Sequence, residues 1–250
     1  MVDRVWAILC LLSLRGFCMC GRFAQVQTRA DYLDYLVSEL EYADALDTVP
    51  IGRYNVAPGT HVLLINQRDT QLHMDPVLWG YGPDWWLEMK RPPIINARVE
   101  TAAGSRMFKP LWEHGRMLVA ADGWYEWKKS PDDPKKKQPY FIHADGPIFF
   151  AAISRFHSKE AEQHDDGFVI VTAASDSGLL DIHDRRPVVL PPAAAREWLN
   201  PDTTSGRAEE LATSRAMQAD KFAWHPVSKS VGNIRNDSAD LLKPIDNPLL

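Results

Sequence analysis

The chain has 250 residues, 45% hydrophobic and 24% charged, enough to bury the core of one large domain or two small ones without disulfide or metal staples. Its formal net charge of −5, from 28 Lys+Arg against 33 Asp+Glu, excludes a protein that coats nucleic acid in bulk but leaves a local basic groove open. The three cysteines, Cys10, Cys18 and Cys20, all lie near one end, which excludes a disulfide framework, lacks the second pair a zinc site needs, and favours a reducing compartment.

The opening run Trp6 to Leu14 has the length of a secretory apolar core and is too short to span a bilayer. Asp3 offsets Arg4 before it, and Arg15, Phe17 and Cys18 make a poor small-residue cleavage site, so residues 1–19 read as a leader or as a start placed upstream of the true one at Met19. The domain then runs over 20–240, with 241–250 as a frayed tail around Pro244 and Pro248. Thr28 to Glu41 reads as a helix, with Asp31 three residues after the capping Thr28 and Tyr32, Leu33, Leu36, Val37 and Leu40 on one face. The turn Arg53-Tyr54-Asn55-Val56-Ala57-Pro58-Gly59 leads into a strand at His61 to Ile65, and a further strand near Val77 to Gly80 breaks at Gly82-Pro83, before a loop carrying Trp85-Trp86. A short helix is predicted from Met107 to Glu113, stopped by Gly115. Arg116 to Trp127 reads as a long strand bent or bulged at Gly123. Ser130 to Gln138 is a hairpin loop with the lysines 135–137 at its solvated tip, and strands at Tyr140–Ile142, Ile148–Ile153 and Phe168–Thr172 complete a meander. A strand at Val188–Leu190 and helices from Pro191-Pro192 to Trp198 and from Arg207 to Met217 follow. The order implies one α+β domain with a highly curved, barrel-like, mainly antiparallel sheet and a few peripheral helices.

Glycine-rich phosphate loops, His-Glu-x-x-His, Gly-x-Ser-x-Gly and zinc-deaminase signatures are all missing. What remains is a scattered polar set. If Met19 starts the chain and is trimmed, Cys20 carries both an α-amine and a thiol, a pair that can form a Schiff base with an aldehyde and then close a thiazolidine ring; the alternative is a buried structural cysteine. On an extended strand Trp124 and Glu126 face one side and Tyr125 and Trp127 the other, so large rings bound the Glu126 carboxyl and would raise its pKa; the alternative is a strand-end glutamate paired with Lys128. His183 fits either proton transfer or a salt-bridged turn with Asp184, Arg185 and Arg186. Asn96 suits fixing a ligand or simply closing a polar turn. Arg98 and Arg185 can each fork onto a phosphate or sit at the surface, and tryptophans, if exposed, can stack on bases.

Six motifs occur in order: Met-Cys-Gly-Arg-Phe, Tyr-Asn-Val-Ala-Pro-Gly, Trp-Gly with a following Trp-Trp, Asn-Ala-Arg-x-Glu-Thr, Ala-Asp-Gly-Trp-Tyr-Glu-Trp and Ile-His-Asp-Arg-Arg-Pro. From Cys20 to about residue 230 the sequence closely resembles the SRAP (SOS response-associated peptidase) family of abasic-site shields. The resemblance implies a protein of the DNA-damage response that binds abasic sites in single-stranded DNA and links to them through Cys20 as a thiazolidine, with weak lyase activity. It implies that Asn96 orients the reacting groups, Glu126 donates and accepts protons, and His183 assists proton transfer and reversal. Arg22, Asn55, Trp85, Trp86, Arg98, Thr172 and Arg185 would line the DNA channel. No metal or other cofactor is implied; the expected setting is a monomer in the cytoplasm, on the nucleoid when bound to DNA, and away from membranes. The other readings are a thiol peptidase whose Cys20 removes its own leader, and a non-enzymatic single-strand-binding module indifferent to abasic sites.

Overall fold

The computed structural model describes residues 21–36, 49–68, 70–133, 135–157, 166–246 and 248. Cys20, with the rest of the leader, lies outside the described residues, as do 37–41 of the first predicted helix. In chain order the strands and helices are β1 (Phe23–Gln25), α1 (Arg29–Leu36), β2 (Arg53–Val56), β3 (His61–Arg68), β4 (Gln71–Leu78), α2 (Asp84–Glu88), β5 (Asn96–Arg98), α3 (Val99–Ala102), α4 (Lys109–His114), β6 (Arg116–Ala121), β7 (Gly123–Lys129), β8 (Lys137–His143), β9 (Ile148–Arg155), β10 (Gly167–Ala174), β11 (Arg185–Pro187), β12 (Val189–Leu190), α5 (Pro192–Leu199), α6 (Ser205–Ser214) and β13 (Ala223–Pro226). The class is α+β and the pairing mainly antiparallel, with β5 running parallel to β10.

These strands form two sheets, one in the order β13-β8-β7-β1-β2 and a larger one with the path β11-β10-β9-β6-β3-β4. Strand β6 explains the layering. All six of its residues are buried, and its side chains alternate between two cores. Leu118 and Ala120 point to a cluster shared with Tyr32, Leu33, Leu36, Trp112 and Trp198, which lie on the helices. Met117, Val119 and Ala121 point to a cluster shared with Phe23, Trp124 and Ile142 on the smaller sheet. A strand buried on both faces has no polar side to show, which is why Met117 to Ala121 is an unbroken apolar run.

The strand read as continuous with a bend or bulge at Gly123 is instead divided there, and the chain passes from β6 in the larger sheet to β7 in the smaller. A Cβ on Gly123 would lie 2.5 Å from the Ile142 carbonyl oxygen and 2.5 Å from the Phe141 ring, so no side chain fits at the crossing. The preceding Asp122 ties the chain start to the same point. Its carboxylate accepts from the Val26 amide at 2.7 Å, the Gln27 side-chain amide at 2.6 Å and the Tyr32 hydroxyl at 2.5 Å, while its own amide donates to the Ala24 carbonyl at 2.9 Å. Burial, then the Asp122 carboxylate, push the Tyr32 phenol well above its usual range, so it stays a donor.

The capping expectation for α1 holds in both directions. Thr28 Oγ1 accepts from the Asp31 amide at 3.0 Å, and the Asp31 carboxylate accepts from the Thr28 amide at 3.0 Å. Two local expectations are corrected. Trp85-Trp86 sits on the short helix α2 instead of a loop, because Pro83 ends the extended segment and its carbonyl accepts from the amides of Trp86 and Leu87. The tail is held past Lys243: Pro244 bridges to Val227, and the Ile245 amide donates to the Pro226 carbonyl at 3.0 Å. A chain end that continues a sheet edge does not need side-chain signals visible in sequence.

Substituting Gly123→Ala forces the new methyl into the Ile142 carbonyl and is expected to cost about 2 kcal/mol of folding stability, measured by urea unfolding. A midpoint equal to that of the unsubstituted chain would contradict the close crossing.

Candidate active site

Strand β7 delivers Glu126. Phe23 pairs with Trp124 and Ala24 with Gly123 across the β1–β7 ladder, and one step nearer the chain start the Tyr125 amide donates to the Arg22 carbonyl at 2.9 Å. The antiparallel run therefore carries the chain at Gly21 toward the level of Glu126. The alternation predicted for β7 holds. Trp124 and Glu126 line one cleft, while Tyr125 turns to the opposite face, packs on Phe141, and donates its hydroxyl to the Tyr54 carbonyl at 2.8 Å. Glu126 is only 2% exposed, so it is not a solvated strand-end residue.

His183 and Arg185 reach the same narrow cleft from the segment after the 3-10 turn Ser177–Asp181, with Leu179, Ile182 and Arg186 completing its wall. This segment is closed at its base, where the Ser175 amide donates to the Asp184 carbonyl at 2.9 Å. His183 Nδ1 lies 3.0 Å from an Asp184 carboxylate oxygen and 3.2 Å from the Arg185 carbonyl, and the Arg185 amide also points at it at 3.1 Å. Nδ1 cannot donate to the oxygens and accept from the amide at once. Two oxygens, one of them charged, favour a proton on Nδ1, which leaves Nε2 as the basic atom. Burial lowers the His183 pKa and outweighs the raising effect of Asp184, so the ring is neutral and able to accept a proton near pH 7.

Strand β10 arranges the remaining polar residues in register. Asn96 pairs with Ile170, Arg98 with Thr172 and, on β11, Pro187 with Thr172 and Arg185 with Ala174. Asn96 is half-buried and its Oδ1 is inaccessible to solvent; Thr172 is wholly buried and Arg98 is exposed. Arg185 is engaged: Nη1 and Nη2 fork onto the two carboxylate oxygens of Glu100 at 2.6 and 3.0 Å, and Nη2 also donates to the Thr172 carbonyl at 2.6 Å. The guanidinium holds the Glu100 carboxyl below the usual carboxylate range.

Arg22 and Asn55 have a structural task. Arg22 Nη1 donates to Asn55 Oδ1 at 3.0 Å and to the Val231 carbonyl at 2.8 Å. The Asn55 amide, 5% exposed, donates to the carbonyls of Val231, Asn233 and Asn236 at 3.1, 3.1 and 2.8 Å. Together they strap the C-terminal segment beside β1 and β2. Trp85 and Trp86 are half-buried and perpendicular, with ring centroids 5.9 Å apart, and Arg106 and Arg91 lie over their respective rings at 5.2 and 4.7 Å. Trp79, Trp112 and Trp124, by contrast, are fully buried core.

Sequence reasoning did not single out Glu100 or Asp122 as parts of the site's surroundings. Glu100 and Asp122 stand inside quoted motifs, so the signal was present, but their partners Arg185 and Tyr32 are 85 and 90 residues away. Among the described residues no helix is long and apolar enough to cross a membrane.

The family profile described as SOS response associated peptidase (SRAP) matches residues 19–234. The chain is similar to an abasic site processing protein of Escherichia coli K12, YedK, with 58% identity covering 91% of this chain and 100% of that protein. It is also similar to YoaM of Bacillus subtilis, likewise named an abasic site processing protein, with 31% identity covering 90% and 97%. Among solved structures, a phage-related protein of Bordetella bronchiseptica superposes with a TM-score of 0.71 and 39% identity, covering 84% of this chain and 95% of that one.

The imidazole of His183 is expected to titrate below the ordinary value of 6.5 in an NMR pH series, and Asp184→Asn to lower it further by removing the carboxylate that favours the charged ring. The unfolded chain then binds this proton before the folded one does, so the contribution of His183 to stability falls as pH drops below that ordinary value. A midpoint above 6.5 would contradict the burial argument.

Proposed function

Because the chain belongs to the SRAP family, we propose that it processes abasic sites in single-stranded DNA by linking to the opened sugar through the amine and thiol of Cys20. The observation that carries this reading is the β1–β7 ladder, which runs the residues following Cys20 along the strand that holds buried Glu126. The relatives named as abasic site processing proteins support the choice of substrate.

An abasic deoxyribose is mostly a closed hemiacetal. Glu126 moves the proton that opens it to the aldehyde. The Cys20 amine, with an α-amino pKa of about 7.7–8.0, is substantially neutral near that pH, where a lysine at about 10.4 is not. Its nitrogen adds to the aldehyde carbon, and the carbinolamine loses water as Glu126 protonates the departing hydroxyl. The thiol then adds across the C=N bond, its proton passing to nitrogen, to close the thiazolidine. Ring closure removes an imine that would otherwise favour β-elimination and strand cleavage. Asn96, with its amide beside β10, orients the amine, and neutral His183 shuttles a proton in both directions. Exposed Arg98, together with Arg185 and Thr172, takes the phosphates, with Arg22 and Asn55 at the channel edge. Trp85 and Trp86 offer the stacking surface. The same thiol, with Glu126 or His183 as base, also suits removal of residues 1–19, in keeping with the peptidase of the family description.

Protein beginning at Cys20, mixed with single-stranded abasic DNA, is expected to give an adduct that survives denaturation, and Cys20→Ala to give none on a denaturing gel. Equal adduct from Cys20→Ala would sink the thiazolidine assignment.

A further inference from the structure

The Arg185 fork that the proposed function gives to a DNA phosphate is already filled from within the chain. Glu100 presents two oxygens to Nη1 and Nη2 at 2.6 and 3.0 Å, the side-by-side geometry in which a guanidinium holds either a carboxylate or two phosphate oxygens. The two partners are unequally placed. The Arg185 side chain is 11% exposed and pinned by the backbone and hydroxyl of Thr172, at 2.6 and 3.2 Å, whereas the Glu100 side chain is 48% exposed. The arginine is therefore the fixed member and the glutamate the one free to leave. We propose that Glu100 is an affinity-setting residue, an internal stand-in for phosphate that holds Arg185 in its receiving pose and is displaced when the backbone of a single strand binds.

The consequence is electrostatic. While Glu100 is in place, the pair offers an incoming strand no net charge, so seating a phosphate there is an exchange of one anion for another and releases few counterions. Contacts elsewhere along the strand must drive the exchange, which weakens binding to any single strand that does not make them. Of the neighbouring charges, Arg98, exposed in the same Asn-Ala-Arg-Val-Glu-Thr stretch, lowers the Glu100 pKa together with Arg185, while Asp184 lies next to Arg185 in sequence. Glu100, held below the usual carboxylate range, stays ionised at neutral pH, so the exchange is governed by salt and not by protonation.

This inference rests on the proposed single-strand binding but not on the adduct chemistry. Its test is therefore non-covalent: the Kd of the chain beginning at Cys20 for an intact oligothymidylate, measured by fluorescence anisotropy across a salt series. Glu100→Gln is expected to tighten binding about three- to tenfold and to steepen the slope of log K against log salt by about 0.7, the value for one added phosphate contact on a single strand. The gain must act through Arg185, so it is expected to vanish in the Arg185→Gln background of a double-mutant cycle. Weaker binding by Glu100→Gln would overturn the proposal, since Glu100 would then be only a brace for Arg185. So would a gain that persists without Arg185, which would be a general charge effect. Failure of wild-type protein to bind oligothymidylate at any salt would overturn the single-strand reading and this inference with it. Binding without an adduct on abasic DNA would remove only the thiazolidine step.

Discussion

The carboxylate of Asp122 gathers three donors from the start of the chain, the Val26 amide, the Gln27 side chain and the Tyr32 hydroxyl, at the point where Gly123 lets the backbone cross between sheets. A carboxylate in contact with three donors is strongly held, and each donor left unmade in a part-buried setting would cost about 1–3 kcal/mol. The same junction fixes α1, since Tyr32 lies on that helix. Register follows from it. With Ala24 opposite Gly123 and Phe23 opposite Trp124, the chain cannot slip by one residue without turning Phe23 out of the core it shares with Trp79 and Phe150.

From that junction the site is built by two strands and one turn. Strand β7 alternates Trp124 and Glu126 into the cleft. The Ser175–Asp184 closure brings His183 against it, and β10 aligns Asn96, Arg98 and Arg185 through Thr172. The molecule carries net charge −5, so attraction for a polyanion has to be local. The arginines beside the cleft are largely compensated: Arg185 by Glu100, Arg22 by carbonyls, and Arg186 by Asp176 at 3.4 Å. Exposed Arg98 and the tryptophan-arginine stacks at Trp85 and Trp86 are the groups that meet solvent first.

Local chemistry was legible in the sequence and long-range pairing was not. The α1 cap, the stop at Gly115 and the face assignment of Glu126 each depend on neighbours within a few residues, and each is found as read, whereas Gly123, read as a bend or bulge within one strand, is where the chain changes sheets. The division into two sheets was not legible, because β6 and β7 are continuous in sequence and only their partners differ. For the same reason the structural partners of Asn55 were not legible, because its amide donates to three carbonyls some 180 residues later. Glu100 was hidden too, since a glutamate in a polar motif gives no sign of which arginine it faces. The six motifs identified the family because they record these distant pairings jointly, which no single residue does.

The proposed linkage requires a free amine and thiol on Cys20, the residue that precedes the run paired by β1 with the strand carrying Glu126. It is tested most directly by reacting two chains side by side with single-stranded abasic DNA, one beginning at Met1 and one at Cys20, and weighing the products by intact mass spectrometry. In the longer chain the Cys20 nitrogen is an amide, which cannot form the imine. The account predicts a DNA adduct on the chain that begins at Cys20 and none on the chain that retains residues 1–19. Adduct of equal yield on both, with the longer chain still intact, would contradict it.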